Sequence, residues 1–285
     1  MHAMKIKTLN LLIVILLAGS LAPLARPAQP AAARGLQPSD GQTTYYLPEM
    51  FLNYSSSSYG AVSGVIVDAI SSQPVGGASV CVSQHCVTSN TQGAFYLANV
   101  PNSNPQTLTV NPNDFNYAFY SQQVQTTFSA PLYLVVSLSK NNLPPGWIRI
   151  VLSWSVKGDL DAHLWWLPVS QPIKHIYWNF RGDCTAYACL QNDSATFGPE
   201  TLTVTSGLSG SLSFAVARNG DLEVTQFNAL VQVYDSTGLI QSFPAPTTGI
   251  GSVWYVFDMA WDTTNPLNPY YAITPQNKLL NGLPH

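Results

Sequence analysis

The chain has 285 residues, more than the usual length of one domain, about 100 to 150 residues, so we expect two domains with extensions. Charged residues make up only 9% and hydrophobic residues 46%, with a formal net charge of -3. This composition excludes a disordered chain and a multi-span membrane protein. The sequence also lacks a lysine- and arginine-rich cluster, which argues against a nucleic-acid partner.

The N-terminal 33 residues have the pattern of an export signal. Lys5 and Lys7 precede an apolar run from Leu11 to Ala18, and Ala31-Ala32-Ala33 is the expected cleavage site. The run is short for a membrane span, and an uncleaved anchor is the alternative. We therefore expect a secreted or cell-surface protein without a membrane span after signal cleavage, in which residues 34–60 form a linker.

The region 61–139 contains short apolar runs separated by turn residues. Gln73-Pro74-Val75-Gly76-Gly77 and Asn90-Thr91-Gln92-Gly93 are the clearest turn segments. This spacing predicts a β-sandwich. The expected strands are residues 62–67, 78–82, 87–89, 95–100, 108–111, 121–127 and 132–138.

Three motifs in this region point to a known family. They are Gly64-Val65-Ile66-Val67-Asp68, Pro74-Val75-x-Gly77-Ala78-x-Val80, and Thr88-x-Asn90-x-x-Gly93-x-Phe95. Residues 62–138 thus resemble the carboxypeptidase regulatory-like domain. The resemblance implies a transthyretin-like sandwich of seven strands that serves as an accessory module in secreted proteins. It implies no peptidase activity, because no segment of the chain resembles a zinc carboxypeptidase catalytic domain.

A second β region follows the proline-rich linker 140–146. The residues 147–262 show no sustained helical periodicity and predict a second antiparallel sandwich, jelly-roll-like in type. The tail 263–285 is rich in Asn and Pro and predicts an irregular segment. The expected strands are residues 147–154, 160–167, 174–178, 200–204, 211–217, 227–234, 238–243 and 252–257.

The stretch Gly158 to Leu164 is the centre of the second region. On a strand, the side chains of Asp159, Asp161 and His163 lie on one face, while the intervening apolar side chains enter the core. Neighbouring carboxylates repel each other unless a cation or several donors lie between them. The loop residue Asp193 and Glu200, which follows a Gly-Pro turn, can join them.

These five residues predict a metal site. Oxygen ligands favour calcium or another divalent cation, whereas ligation by His163 would favour manganese or zinc. The alternative is a solvated polar face on a half-buried strand, without any metal. Ten of the fourteen acidic residues lie between Trp147 and Asp262.

The second region also resembles a secreted bacterial domain. Val151-Leu152-Ser153-Trp154, Asp159-Leu160-Asp161-x-His163-Leu164, His175-Ile176-Tyr177 and Phe197-Gly198-Pro199-Glu200 carry the resemblance. The family is the one typified by YfaP, and the match covers residues 147–262. Because that family is functionally undefined, the resemblance implies secretion and a β fold and no particular activity.

The four cysteines form two pairs of the same spacing. Cys81 and Cys86, like Cys184 and Cys189, are separated by four residues, which suits a disulfide across a short hairpin. We expect two local disulfides, as befits an oxidising compartment. Zinc bound by a cysteine pair with His85 is the alternative.

The consecutive residues Trp165 and Trp166 suggest a ligand surface. They must point to opposite faces of a strand, so one is expected at an exposed rim, where it could stack on a sugar ring. Packing against the neighbouring domain or the tail is the alternative.

Three functions compete. The first is a non-catalytic binding, adhesion or structural module whose partner is an extracellular or cell-surface protein or a glycan. The second is a carbohydrate-binding accessory protein, and the third is a metal-dependent hydrolase using Asp161, His163 and Glu200. The sequence contains neither a serine nucleophile elbow nor a His-Glu-x-x-His motif, so we favour the non-catalytic module.

Overall fold

A computed structural model describes residues 58–114, 116–264 and 269–285. These residues form eighteen β-strands and one short 3-10 turn, Val224–Gln226. The predicted all-β sandwich class is confirmed. The expected signal peptide and most of the expected linker 34–60 lie outside the described residues. In the part of the chain that is described, no helix is long and apolar enough to cross a bilayer.

The first seven strands form two facing sheets. One sheet has the order β4-β1-β7 and the other the order β3-β2-β5-β6. Apolar side chains of both sheets, including Ile66, Val80 and Tyr120, pack into one core. The strands are β1 (Tyr59–Asp68), β2 (Ser79–Val82), β3 (His85–Thr88), β4 (Ala94–Pro101), β5 (Gln106–Asn111), β6 (Tyr120–Val124) and β7 (Leu132–Leu138).

One pair of strands departs from the antiparallel pairing of the rest of this sandwich. β1 and β7 run parallel, with Val62 opposite Leu132 and Asp68 opposite Leu138. Parallel neighbours need a long crossover connection, and here all the intervening strands provide it. The first and last strands of the sandwich therefore lie side by side.

The remaining strands form a second sandwich. Its five-stranded sheet has the order β10-β9-β14-β17-β18, and its six-stranded sheet has the order β11-β12-β13-β8-β15-β16. The aromatic side chains of Trp154, Phe214 and Trp254 are buried between them. The strands are β8 (Ile148–Ser153), β9 (Asp159–Leu167), β10 (Lys174–Ile176), β11 (Gly182–Asp183), β12 (Ala188–Asn192), β13 (Glu200–Val204), β14 (Ser211–Asn219), β15 (Leu230–Asp235), β16 (Gly238–Pro244), β17 (Val253–Asp262) and β18 (Tyr270–Leu280).

The prediction of an irregular tail over residues 263–285 is wrong. β18 pairs along β17, from Asp262 opposite Tyr270 to Val253 opposite Leu280. The indole of Trp254 donates a hydrogen bond of 2.8 Å to the Asn277 side chain. Pairing satisfies the backbone of β18 and covers the edge of β17, which outweighs the low strand propensity of its Asn, Gln and Pro residues.

The two sandwiches contact each other within one compact unit. Leu230 of β15 is buried in the core of the first sandwich. The amide of Gln232 donates to the carbonyl of Ser121 (3.0 Å), and the hydroxyl of Thr201 donates to the carbonyl of Ala69 (2.5 Å). These contacts join the two sandwiches directly, beyond the linker that connects them in sequence.

Both predicted cysteine pairs are joined in the structure. Cys81 and Cys86 are directly opposite each other on β2 and β3. Cys184 and Cys189 close the short hairpin of β11 and β12. The second disulfide therefore constrains the hairpin that precedes Asp193, and Glu200 begins the next strand.

Candidate functional site

The first residues of β9 place two carboxylates beside each other. Leu160 and Ala162 are fully buried in the core, while Asp159 and Asp161 lie on the opposite face and are half-buried. This alternation is the one that the sequence predicts. The side chain of Asn219, opposite on β14, donates a hydrogen bond of 3.0 Å to Asp159.

The beginning of β9 has an open edge on its other side. β10 has three residues and pairs only with Leu164, Trp165 and Trp166. The backbone amide of Ala162 therefore lacks a strand partner there and donates to Oε2 of Glu200 at 2.7 Å. Glu200 thus connects the six-stranded sheet to the edge of the five-stranded one.

Glu200 is almost completely enclosed, with 1% of its surface exposed. It begins β13 and pairs with Leu152 on β8. Among the described residues no donor group reaches its Oε1 atom, and its contact with the Asp193 carboxylate is a hydrogen bond only when one of the two carboxyls holds a proton. A buried carboxylate oxygen without a donor is costly, so this atom is suited to an additional ligand.

Three carboxylates come together at this edge. Asp159, Asp161 and Glu200 each offer an oxygen, and these oxygens lie within 4.8 Å of one another. Asp193 is close enough to act electrostatically on all three, and its own carboxylate pairs with Arg181 at 2.5 Å. Four of the five predicted ligands therefore share one region.

The pKa values of three of these carboxyl groups, those of Asp159, Asp161 and Glu200, are raised. Burial, followed by repulsion from Asp159 and Asp193, raises the pKa of Asp161 to about 6. Burial raises the pKa of Glu200 to about 10; the Ala162 hydrogen bond opposes this rise, and Asp193 and Asp161 add to it. Burial also raises the pKa of Asp159. A divalent cation would reverse these shifts by favouring the ionised forms.

The structure does not bring His163 into the carboxylate group. Its Nδ1 lies 2.8 Å from Nε2 of His175, and its ring stacks with those of His175 and Tyr177. Burial, followed by the neighbouring His175, lowers the pKa of His163 to about 4, and burial lowers that of His175 to about 4. The donors brought together are therefore oxygens, which suit a hard cation.

The expectation that Trp165 or Trp166 is exposed is wrong. They are 2% and 8% exposed. Trp166 lies in the sandwich core and donates to the carbonyl of Ser209, whereas Trp165 stacks on His175 and contacts the edge of His285. Trp165 is covered because β10 and the last residues of the chain lie over its face, so the packing alternative holds.

The aromatic side chains that are exposed lie elsewhere. Trp178 is 53% and Phe180 49% exposed, in the turn after β10, and Phe197 is exposed in the loop before Glu200. The sequence pattern did not predict the exposure of these three rings, although Phe197 belongs to one of the quoted motifs, and it did not predict Arg181 as the partner of Asp193. The available signal was the Asn-Phe-Arg-Gly-Asp run after β10, which is typical of a turn.

No family model matches the chain, and no curated protein matches it. Among solved structures it is similar to a homologue of the telluride resistance protein TerD from Streptomyces coelicolor A3(2), with 13% identity and a TM-score of 0.41, over 50% of this chain and 94% of that one. It is also similar to a candidate carbohydrate-binding protein from Bacteroides uniformis ATCC 8492, with 10% identity and a TM-score of 0.23 (76% and 98% covered). A streptococcal ancillary pilin shows 12% identity and a TM-score of 0.23 (78% and 60% covered).

Proposed function

We propose that this chain is an exported, non-catalytic binding or structural protein whose second sandwich holds a divalent cation. Asp159, Asp161, Asp193 and Glu200 are the proposed ligands, and calcium is the proposed ion because the donors are carboxylate oxygens. The single observation that carries the proposal is the buried Oε1 of Glu200, which no donor group reaches and whose remaining side-chain contact is with another carboxylate, that of Asp193. It belongs to the residue that approaches Asp159 and Asp161 within 4.8 Å.

The electrostatics of the site support a cation over an empty polar face. A solvated polar face would leave its carboxylates in water, yet Glu200 is enclosed and Asp161 is half-buried. Enclosed like charges are unfavourable unless protons or a cation neutralise them. A divalent ion neutralises two of the charges and supplies Oε1 with a partner that does not depend on a proton shared with Asp193.

The hydrolase alternative has less support. It needs His163 to act together with Asp161 and Glu200, but the imidazole of His163 hydrogen-bonds to His175 instead. The carbohydrate-binding alternative loses the two residues on which it was based, since Trp165 and Trp166 are buried. Secretion and membership of the two resembled families remain part of the proposal.

The test is a calcium titration of the full-length protein by calorimetry, with melting temperatures in calcium, zinc and chelator. A ligand that binds only the folded state at one hundred times its Kd stabilises it by about 2.7 kcal/mol. We expect calcium to raise the melting temperature of the wild type and of Asp221→Asn, an exposed acid outside the carboxylate group, but not of Asp161→Ala. No shift with any divalent ion would contradict the cation site, and selectivity for zinc would favour the hydrolase.

A further inference from the structure

Asn219 and Gly220 form an Asn-Gly pair at the end of β14, next to the carboxylate group. The sequence contains two such pairs, and the other is Asn281-Gly282. An asparagine followed by glycine is chemically labile, because glycine has no side chain to keep its backbone nitrogen away from the asparagine side chain. Asn219 is therefore a candidate for spontaneous deamidation.

The local structure leaves both reacting groups accessible. Asn219 is the last residue of β14, and it and Gly220 are both exposed. Gly220 has a φ of 123°, which residues with a side chain rarely adopt, and a Cβ built on it would meet no heavy atom within 4 Å. Among the described residues, no backbone group accepts a hydrogen bond from the N–H of Gly220. The turn therefore requires the glycine and leaves its nitrogen open to react.

The side chain of Asn219 contacts a proposed cation ligand. Its Nδ2 donates a hydrogen bond of 3.0 Å to Oδ2 of Asp159, the residue opposite it on β9. An oxygen of Asp159 lies within 4.8 Å of oxygens of Asp161 and Glu200. A change of charge on the Asn219 side chain therefore acts directly on the carboxylate group.

We propose that Asn219 deamidates spontaneously and that the resulting carboxylate becomes a further ligand of the cation. The inference rests on the proposed cation site, whose set of ligands it extends.

The reaction needs no co-reactant other than water. The backbone nitrogen of Gly220 gives up its proton and bonds to Cγ of Asn219, the Cγ–Nδ2 bond breaks, and the side-chain nitrogen leaves with that proton as ammonia. Water then opens the succinimide ring at one of its two carbonyl carbons. Attack at Cγ gives aspartate and attack at the backbone carbonyl gives isoaspartate. Both products carry a free carboxylate at this position.

Deamidation replaces a hydrogen-bond donor beside Asp159 by a negatively charged acceptor. Without a cation, the new carboxylate and that of Asp159 repel each other across a contact that was a hydrogen bond. With a divalent cation, the same group adds an oxygen ligand and a negative charge, and calcium affinity depends on the number of charged ligands. The modified chain should therefore bind calcium more tightly and be less stable in chelator.

The second Asn-Gly pair provides a comparison within the same molecule. Asn281 and Gly282 are exposed directly after β18. Two strands, β17 and β14, lie between β18 and β9, so a carboxylate formed at Asn281 would not join the cation ligands. Trypsin separates the two pairs into the peptides 219–278 and 279–285, because Arg218 and Lys278 precede them.

The first experiment is incubation of the full-length protein at mildly alkaline pH, followed by mass spectrometry of the tryptic peptides. We expect the peptide 219–278 to gain about 1 Da, located at Asn219 by fragmentation, because an amide becomes a carboxylate. The control Asn219→Gln keeps an amide but must close a larger ring for the same attack. It should show no gain at that position, while its peptide 279–285 changes as in the wild type. An Asn219 that stays unmodified would overturn the inference, whether or not Asn281 reacts.

Calcium calorimetry of Asn219→Asp tests the effect on the cation. We expect this variant to bind calcium at least about fivefold more tightly than the wild type and Asn219→Gln, and to melt at a lower temperature than the wild type in chelator. Equal calcium affinity of the wild type and Asn219→Asp would overturn the inference and leave the cation site standing. Calcium binding by Asn219→Asp alone would support the inference and contradict the cation site of the unmodified chain. Failure of both proteins to bind calcium would overturn the cation site and the inference together.

Discussion

Glu200 is the residue on which the site depends most directly. Without a cation, burial keeps its carboxyl protonated, since its pKa is raised to about 10. Glutamine has nearly the same shape and no charge, so the Ala162 hydrogen bond can be retained through its carbonyl oxygen. We expect Glu200→Gln to lose the calcium-induced gain in melting temperature while its unfolding free energy in chelator stays within about 1 kcal/mol of the wild type. Thermal melts of both proteins in calcium and in chelator test this, and an unchanged calcium response in the variant would rule out Glu200 as a ligand.

The raised pKa of Asp161 makes cation binding depend on pH. Its folded-state value of about 6 lies above the ordinary value of 3.8, so in the cation-free protein the proton it holds stabilises the fold. That contribution is complete below the ordinary value and is lost as the pH rises through the folded value. The cation competes with this proton for the same oxygens. The stabilisation of the fold by the cation should therefore increase as the pH rises through the same interval. We expect a larger calcium-induced shift at about pH 7.5 than at about pH 5, and calorimetric scans at both values would show it. A shift that is equal at both values would contradict Asp161 as a ligand.

One side-chain hydrogen bond ties β18 to the core, in addition to its pairing with β17. The buried indole of Trp254 donates to Asn277, and Asn277 has a left-handed backbone with a φ of 47°. Asn277→Ala leaves the indole N–H without a partner and places a side chain with no local hydrogen bond in that conformation. We expect a loss of about 2–3 kcal/mol in unfolding free energy, measured by denaturant titration. The control Asn277→Asp keeps an acceptor oxygen and tolerates the same φ, so it should lose less than the alanine variant. Equal stability of Asn277→Ala and the wild type would show that the indole finds another partner.

The elements that sequence analysis predicts well are those with a clear period of two. β9 is an example, because Leu160, Ala162 and Leu164 alternate with polar residues and the core buries the apolar set. β18 is the opposite case, since its polar composition hides a strand that pairing with β17 stabilises. A sequence pattern gives the faces of a strand but not what covers them. For that reason the grouping of Glu200 with Asp161 could be predicted from the preference of cations for carboxylate ligands. The burial of Trp165 under His175 and His285 could not be predicted from the sequence.

At the scale of the whole molecule, the contacts between the sandwiches predict that they unfold together. All seven tryptophans lie at or after residue 147. Tryptophan fluorescence therefore reports mainly on the second sandwich, and Trp147 also packs against the cluster that contains Ala69 and Ala118 of the first. Val110 is fully buried in the core of the first. Val110→Ala removes two methyl groups there and should cost about 2 kcal/mol. Because Leu230 and Gln232 connect the second sandwich to the first, we expect the fluorescence midpoint to fall by several degrees.

The comparison of two probes decides whether the sandwiches are one cooperative unit. Circular dichroism follows the strands of both sandwiches, and in Val110→Ala its transition should coincide with that of tryptophan fluorescence. The control Tyr96→Phe changes an exposed residue of the same sandwich and should leave both midpoints in place. A fluorescence midpoint that stays at the wild-type value, while the circular dichroism curve becomes biphasic, would show that the sandwiches unfold independently. The cation would then stabilise only the second sandwich; with cooperative unfolding, calcium bound at Glu200 also protects the first.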